Sequence, residues 1–138
     1  MSFLYDIKVV YGDEPSEEPS DSIEVIDSAS GDINQGFKGK YVWLVPKYGS
    51  YPDCTGITII IQRDEDIRYS DLGKYTGGNY RYLHFKTGGR QSVGKVALAR
   101  SDREIDSNWV ERYGWDAYSS DIHEGRHGSY LYIVWKWV

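Results

Sequence analysis

A sixteen-residue sequence unit occurs three times in this chain, and this repeat limits the possible folds more than any other feature. The copies align without a gap as DINQGFKGKYVWLVPK from residue 32, DLGKYTGGNYRYLHFK from residue 71 and DIHEGRHGSYLYIVWK from residue 121. Four columns are identical in all copies: Asp in column one, Gly in column eight, Tyr in column ten and Lys in column sixteen. An internal repeat of this kind predicts equivalent structural units that share one core.

The columns predict a turn that leads into a strand. An Asp at the head of a turn can accept hydrogen bonds from N–H groups two or three residues on, and Gly suits a backbone with φ > 0. After that Gly, columns ten and twelve share one strand face, and columns eleven and thirteen share the other. Further β-type runs precede the units, at 5–11, 57–61 and 96–99, and shorter ones at 22–26, 67–69 and 115–118.

We therefore expect one all-β domain of residues 1–138, made of three repeats at about 1–53, 54–92 and 93–138. Three β repeats of this size imply a closed, pseudo-threefold structure. The β-trefoil and the β-prism both meet that description, and the residues alone leave the choice open. The aromatic fraction of 15% and the 15 glycines favour strands and tight turns over a helical bundle.

Charge, cysteine content and the N-terminal residues argue against several classes of protein. The formal net charge of −5 has the wrong sign for nucleic-acid binding and disfavours an anionic membrane surface. Cys54 is the single cysteine, which excludes an intrachain disulfide and a cysteine-built zinc site. Asp6 and Lys8 interrupt the first apolar run, so we expect no signal peptide and a cytoplasmic location.

Aromatic residues beside the turn aspartates suggest a carbohydrate site. An aromatic face stacks on the apolar face of a pyranose, and a neighbouring Asp or Asn accepts hydrogen bonds from hydroxyl groups. The predicted carbohydrate-binding residues are Asp32, Asn34, Tyr41 and Trp43 in copy one, and Asp121, His123, Tyr130 and Tyr132 in copy three. The alternative is that these aromatics belong to the core and that each Asp only forms its turn.

Residues 123–127, HEGRH, match the H-E-x-x-H motif of zinc proteases. That motif works on a helix, where both histidines share a face. Here Gly125 and the strand that follows predict a turn instead. We therefore expect no metal, no cofactor and no enzymatic activity.

Residues 13–21, DEPSEEPSD, carry five carboxylates and two prolines. This composition predicts a mobile, exposed loop that is open to proteolysis. The alternative is a regulated or partner-facing loop, because phosphorylation of Ser16 or Ser20 would add charge.

The pattern D-I-x-x-G-x-x-G-x-Y-x-aromatic-aliphatic at 32–44 and 121–133 resembles the lectin-like proteins that accompany mushroom tyrosinase and their mannose-binding fungal relatives. This resemblance implies a non-catalytic β-trefoil that binds mannose-type sugar or docks onto a tyrosinase-type enzyme.

A weaker similarity links 32–44 to the β-prism domains of vacuolar-sorting proteins, and it implies a module that associates with acidic lipid or a protein partner. Lys38, Lys40 and Arg126 would then meet anionic headgroups. The middle copy departs from both patterns at Gly73 and Tyr75. The Gln-x-Trp signature of ricin-type lectins is absent as well, so no sugar-binding residues are carried over from that family.

Overall fold

The computed structural model describes residues 2–126 and 128–138 and consists mainly of strands. The long strands form three antiparallel pairs, one in each repeat. They are β1 (Phe3–Gly12) with β3 (Tyr41–Gly49), β4 (Gly56–Gln62) with β5 (Tyr80–Lys86), and β6 (Val93–Ser101) with β8 (Tyr130–Trp137). The short strands β2 (Glu24–Val25) and β7 (Ala117–Tyr118) extend the third pair into a sheet of order β2-β6-β8-β7. The predicted all-β class is confirmed.

The three strand pairs are equivalent in register. The column-ten Tyr lies opposite the last residue of the preceding long strand in every pair. The partners are Tyr41 and Gly12, Tyr80 and Gln62, and Tyr130 and Ser101. The sequence repeat is therefore also a repeat of strand pairing.

The three shorter β-type runs form little or no strand, in contrast to the three longer runs. The run at 22–26 yields only β2 and is followed by a 3-10 turn, Ile26–Ser28. The run at 115–118 is reduced to β7. No strand forms at 67–69, where Ile67 lies in a turn and is 90% exposed. Apolar composition without a pairing partner did not suffice to make a strand there.

One helix, α1 (Ser107–Arg112), was not expected from the sequence. Its N-cap is Asp106, whose side chain accepts a hydrogen bond from the backbone N–H of Trp109 at 2.9 Å. Asp is a preferred N-cap residue, so the local signal was present. No helix in residues 2–126 and 128–138 has the length and hydropathy needed to cross a membrane.

The acidic segment 13–21 is mostly exposed but has local order. Its centre forms a 3-10 turn, Pro15–Glu17. The Glu17 carboxylate accepts hydrogen bonds from the backbone N–H groups of Asp13 and Glu14, at 2.9 and 3.0 Å. Asp13 also forms an ion pair with Lys40. This segment is therefore tied to the first repeated turn.

The main hydrophobic core draws residues from all three repeats. Column two is fully buried in each copy, as Ile33, Leu72 and Ile122. Columns eleven and thirteen face the same core and supply Val42, Leu44, Leu83, Leu131 and Ile133. Each such side chain contributes about 1.5–3 kcal/mol through burial. The side chains of columns ten and twelve lie on the opposite face of their strands, and in repeat three α1 covers that face.

Tyr11 links repeat one to repeat two. Its hydroxyl donates a hydrogen bond to the backbone carbonyl of Asp71 at 2.8 Å. Burial raises the pKa of Tyr11 to about 12. The folded state therefore holds the Tyr11 proton to a higher pH than the unfolded chain, in which Tyr titrates near pH 10.

We expect the free energy of unfolding to fall between about pH 10 and about pH 12, because only the unfolded chain gains from losing the Tyr11 proton in that range. Below about pH 10 this contribution is fully present. Tyr11→Phe should make the decline shallower, as measured by urea unfolding across that range. Burial also raises the pKa of Tyr82 and Tyr132, so some decline should remain. Tyr113→Phe, at an exposed position, should keep the wild-type slope, and an unchanged slope in Tyr11→Phe would contradict the assignment.

Candidate binding site at the repeated turns

The Asp carboxylate holds each repeated turn in the same way. Its Oδ1 atom accepts two backbone hydrogen bonds, one from the residue two positions on and one from the residue ten positions on. The distances are 2.9–3.1 Å, and the groups are Asp32 with Asn34 and Val42, Asp71 with Gly73 and Arg81, and Asp121 with His123 and Leu131. The predicted bond to the second residue is confirmed. The bond to the tenth residue fastens the turn to the following strand.

Glycine in column eight adopts the positive φ expected of it. The angles are 135° at Gly39, 75° at Gly78 and 120° at Gly128. A side chain is strained in this region of φ, so the repeated Gly is a backbone requirement of the turn.

Column three lies beneath each turn. Asn34 Nδ2 donates a hydrogen bond to the carbonyl of Lys40 at 2.9 Å, and His123 Nδ1 contacts the equivalent carbonyl of Ser129 at 2.9 Å. His123 Nε2 also contacts the carbonyl of Ile33, at 2.6 Å. Both predicted residues are buried, and these contacts give them a role in shaping the turns.

The two aromatic columns have different exposures. Tyr41 and Tyr130 in column ten are partly buried, whereas Trp43 and Tyr132 in column twelve are only 2% and 4% exposed. In each repeat the two rings are nearly parallel, with centroid distances of 5.6–6.4 Å. The buried ring of column twelve therefore packs beneath the ring of column ten. The column-ten ring is the aromatic surface that a ligand could reach.

Copies one and two each have a cavity at the equivalent place. The first, about 240 Å³ in volume, is lined by Asp32, Asn34 and Tyr41 together with residues 35–40. The second, about 250 Å³, is lined by the matching Asp71, Gly73 and Tyr80, with Glu65, Lys74, Tyr75, Gly77 and Gly78. The structure thus brings together three of the four residues predicted in copy one and leaves Trp43 below the cavity.

The middle copy was omitted from the predicted site because it departs from the pattern at Gly73 and Tyr75. The signals that could have identified it were the shared Asp and Tyr of columns one and ten. In copy three, Asp121 and Tyr130 hold the equivalent positions. His127 of that turn lies outside the described residues.

The electrostatics of both cavities are mixed. In copy one, a hydrogen bond from Lys40 to Asp13 raises the pKa of the Lys40 amino group, so this cation already has a carboxylate partner. In copy two, the Lys74 amino group lies 4.9 Å from the Tyr75 ring centroid and 5.5 Å from that of Tyr11. Each cavity thus offers a carboxylate, an ammonium group and a Tyr ring, which suits a polar ligand with an apolar face.

The segment that matches H-E-x-x-H is a turn, as far as it is described. His123 and Glu124 lie in this turn, and Gly125 has a φ of 82°. The second histidine of the motif, His127, falls outside the described residues. Within the described ranges, no group of three or more His, Cys, Asp or Glu side chains is placed to hold a metal ion.

Side-chain donors join the three turns in a ring. Tyr11 of repeat one donates to the carbonyl of Asp71, and Arg81 of repeat two donates to the carbonyl of Ile122 at 2.6 Å. Arg100 of repeat three returns to repeat one, where it donates to the carbonyl of Asp32 at 2.9 Å. The acceptors are all carbonyls of columns one and two, so each turn is held by another repeat.

Comparison of the sequence with protein-family models and with curated proteins finds no match.

Proposed function

We propose that this protein is a non-catalytic, lectin-like module that binds carbohydrate at its repeated turns. The observation that carries this proposal is the pair of equivalent cavities, each flanked by a column-one Asp and a column-ten Tyr. Two independent copies of one polar and aromatic arrangement are what a multivalent sugar-binding protein needs.

The chemistry of each cavity fits a pyranose. Tyr41 and Tyr80 present part of their rings and can stack on the apolar face of a sugar. Among the described residues, Asp32 and Asp71 use only Oδ1 for the turn. Their second carboxylate oxygen is left to accept hydrogen bonds from hydroxyl groups. The Lys40 and Lys74 side chains in the cavity walls can donate hydrogen bonds to ring or hydroxyl oxygens.

A β-trefoil arrangement accompanies this proposal. It is supported by three strand pairs of equal register and by the ring of hydrogen bonds between repeats. In addition, β2 of repeat one pairs with β6 of repeat three, which favours repeats that share sheets over three separate sheets as in a β-prism. Docking onto a tyrosinase-type enzyme, which the sequence resemblance implies, stays a prediction.

The test is a glycan array on the intact chain, followed by titration of the best-bound sugar into variants. Tyr41→Ala and Tyr80→Ala should each weaken binding about tenfold at their own site, because the stacking ring is lost. The double variant should lose binding almost completely.

Tyr41→Phe is the matched control, since it keeps the ring and should bind nearly as well as the wild type. Tyr113→Ala removes an exposed Tyr elsewhere and should have no effect. The proposal fails if no glycan binds, or if the double variant binds as tightly as the wild type.

A further inference from the structure

We propose that the protein holds a small oxyanion, of the phosphate, sulfate or carboxylate type, in a third cavity where the turns of all three repeats meet. This cavity has a volume of about 620 Å³. Repeat one contributes Gly36 and Phe37, repeat two contributes residues 76–79 with Arg81, and repeat three contributes residues 124–126. It adjoins the two cavities proposed for sugar, sharing Gly36 and Phe37 with the first and Gly77 and Gly78 with the second. Its walls differ from theirs in having two arginines and neither Tyr41 nor Tyr80.

Two guanidinium groups line this one cavity, those of Arg81 and Arg126. Arg81 is only 3% exposed and Arg126 is partly buried. Burial lowers the pKa of both groups, and the charge of Arg126 lowers the pKa of Arg81 further. Two like charges that share one cavity and are partly withdrawn from water favour an anion between them.

Both arginines are fixed by their surroundings. Arg81 Nη1 donates to the carbonyl of Ile122 at 2.6 Å, and Arg126 Nη2 donates to the carbonyl of Gly77 at 3.0 Å. The Arg126 guanidinium also lies over the Phe37 ring, 5.1 Å from its centroid. The positions of the charges are thus set before any ligand arrives.

The middle copy makes room for this arrangement at column three. A Cβ on Gly73 would lie 2.7 Å from Arg126 Nη2, closer than non-bonded atoms can pack. The Asn and His side chains of the other copies have no equivalent at this position. In copy two the space beside column three is therefore taken by the Arg126 guanidinium of repeat three, and a side chain at position 73 would have to displace it.

Hydrogen-bond donors remain unused in this pair. Among the described residues, Arg81 Nε and Arg126 Nη1 are buried without a hydrogen-bond acceptor. Within the same residues, neither side chain forms an ion pair. Glu124 lies on the cavity wall. The charges of Asp71, Asp121 and Glu124 act on Arg81, and the charge of Asp71 also acts on Arg126, but among the described residues none of these carboxylates is within ion-pair distance of either guanidinium. A planar guanidinium matches an oxyanion in shape and charge.

The test is titration of the intact chain with sodium sulfate, sodium phosphate or sodium glucuronate, with ionic strength kept constant by sodium chloride. We expect a saturable rise in melting temperature for the wild type. Arg126→Gln should weaken the binding at least tenfold, and Arg126→Lys should have a smaller effect because it keeps the charge but loses the planar donor pair. Arg68→Gln, at an exposed arginine paired with Asp66, should bind as the wild type does.

Sulfate also stabilises proteins in a general, non-saturable way. An equal rise in wild type and Arg126→Gln would therefore overturn the proposal. If Arg126→Gln does not fold, the titration of the wild type is the deciding experiment. The absence of a saturable response to all three anions would then overturn the proposal.

Binding of sulfate or phosphate alone supports a free inorganic ion as ligand, and binding of glucuronate supports an acidic sugar. Tyr41→Ala and Tyr80→Ala should keep the binding of sulfate and phosphate, which have no sugar ring to stack, so this test and the sugar test can fail separately.

Discussion

Asp32→Ala should lower the free energy of unfolding by about 3–5 kcal/mol, because it removes two charge-assisted hydrogen bonds at a buried site. Asp32 is buried, and its Oδ1 accepts from the N–H groups of Asn34 and Val42 at 3.0 and 2.9 Å. Alanine leaves both donors without a partner. Asp32→Asn keeps an Oδ1 acceptor without the charge, so it should cost only about 1–2 kcal/mol. Urea unfolding measures both values.

Two comparisons make this result specific to the repeated turn. Asp121→Ala removes the equivalent bonds in copy three and should cost a similar amount. Asp102→Ala changes an exposed Asp outside the turns and should stay within about 0.5 kcal/mol of the wild type. A cost for Asp32→Ala as small as that of Asp102→Ala would mean that the carboxylate does not hold the turn.

Gly39→Ala should cause the second large loss in the free energy of unfolding, because repeats one and two approach each other closely at this glycine. A Cβ on Gly39 would lie 2.6 Å from the carbonyl oxygen of Lys74 and 2.9 Å from the carbonyl carbon of Tyr75. Both atoms belong to the backbone of repeat two, which cannot rotate away as a side chain could. Lys40 N–H also donates to the same Lys74 carbonyl at 3.1 Å, so a shift would break that bond as well.

Gly128→Ala is the matched control for Gly39→Ala. The two glycines share column eight, with φ of 120° at Gly128 and 135° at Gly39. Among the described residues, a Cβ on Gly128 would meet only the Phe37 ring, at 3.8 Å. Gly128→Ala should therefore show backbone strain alone, about 1–3 kcal/mol. Gly39→Ala should lose about 2 kcal/mol more through overpacking. Equal losses in urea unfolding would contradict a rigid contact between repeats.

Much of the fold could be predicted from the sequence, because local signals that are weak in one copy recur at the same positions in the other two. The long strands, the positive φ in column eight and the Asp-headed turn follow from residue types at fixed spacing. The bond from Asp32 to Val42 did not follow, because it depends on how the turn closes onto its strand. The helix at Ser107–Arg112 was missed because its one clear signal, the Asp106 cap, stands in an otherwise irregular segment.

The candidate site was harder to predict, because the spacing of residues along a strand shows which face a side chain lies on but not how deeply it is buried. Tyr41 and Trp43 both alternate onto the outer strand face, yet only Tyr41 reaches a cavity. Trp43 is covered by repeat one itself, since a Cβ on Gly12 would lie 2.5 Å from its ring. Likewise, the spacing of residues in copy two does not show that the Arg126 guanidinium of repeat three lies beside Gly73.

The ring of hydrogen bonds between the turns has a consequence for how the molecule unfolds. In a linear repeat array each unit contacts only its neighbours, so end units can fray while the middle stays folded. Here repeat three returns to repeat one through Arg100, and every repeat has two neighbours. Losing any one repeat removes support from both others, so the three units should melt as one cooperative body.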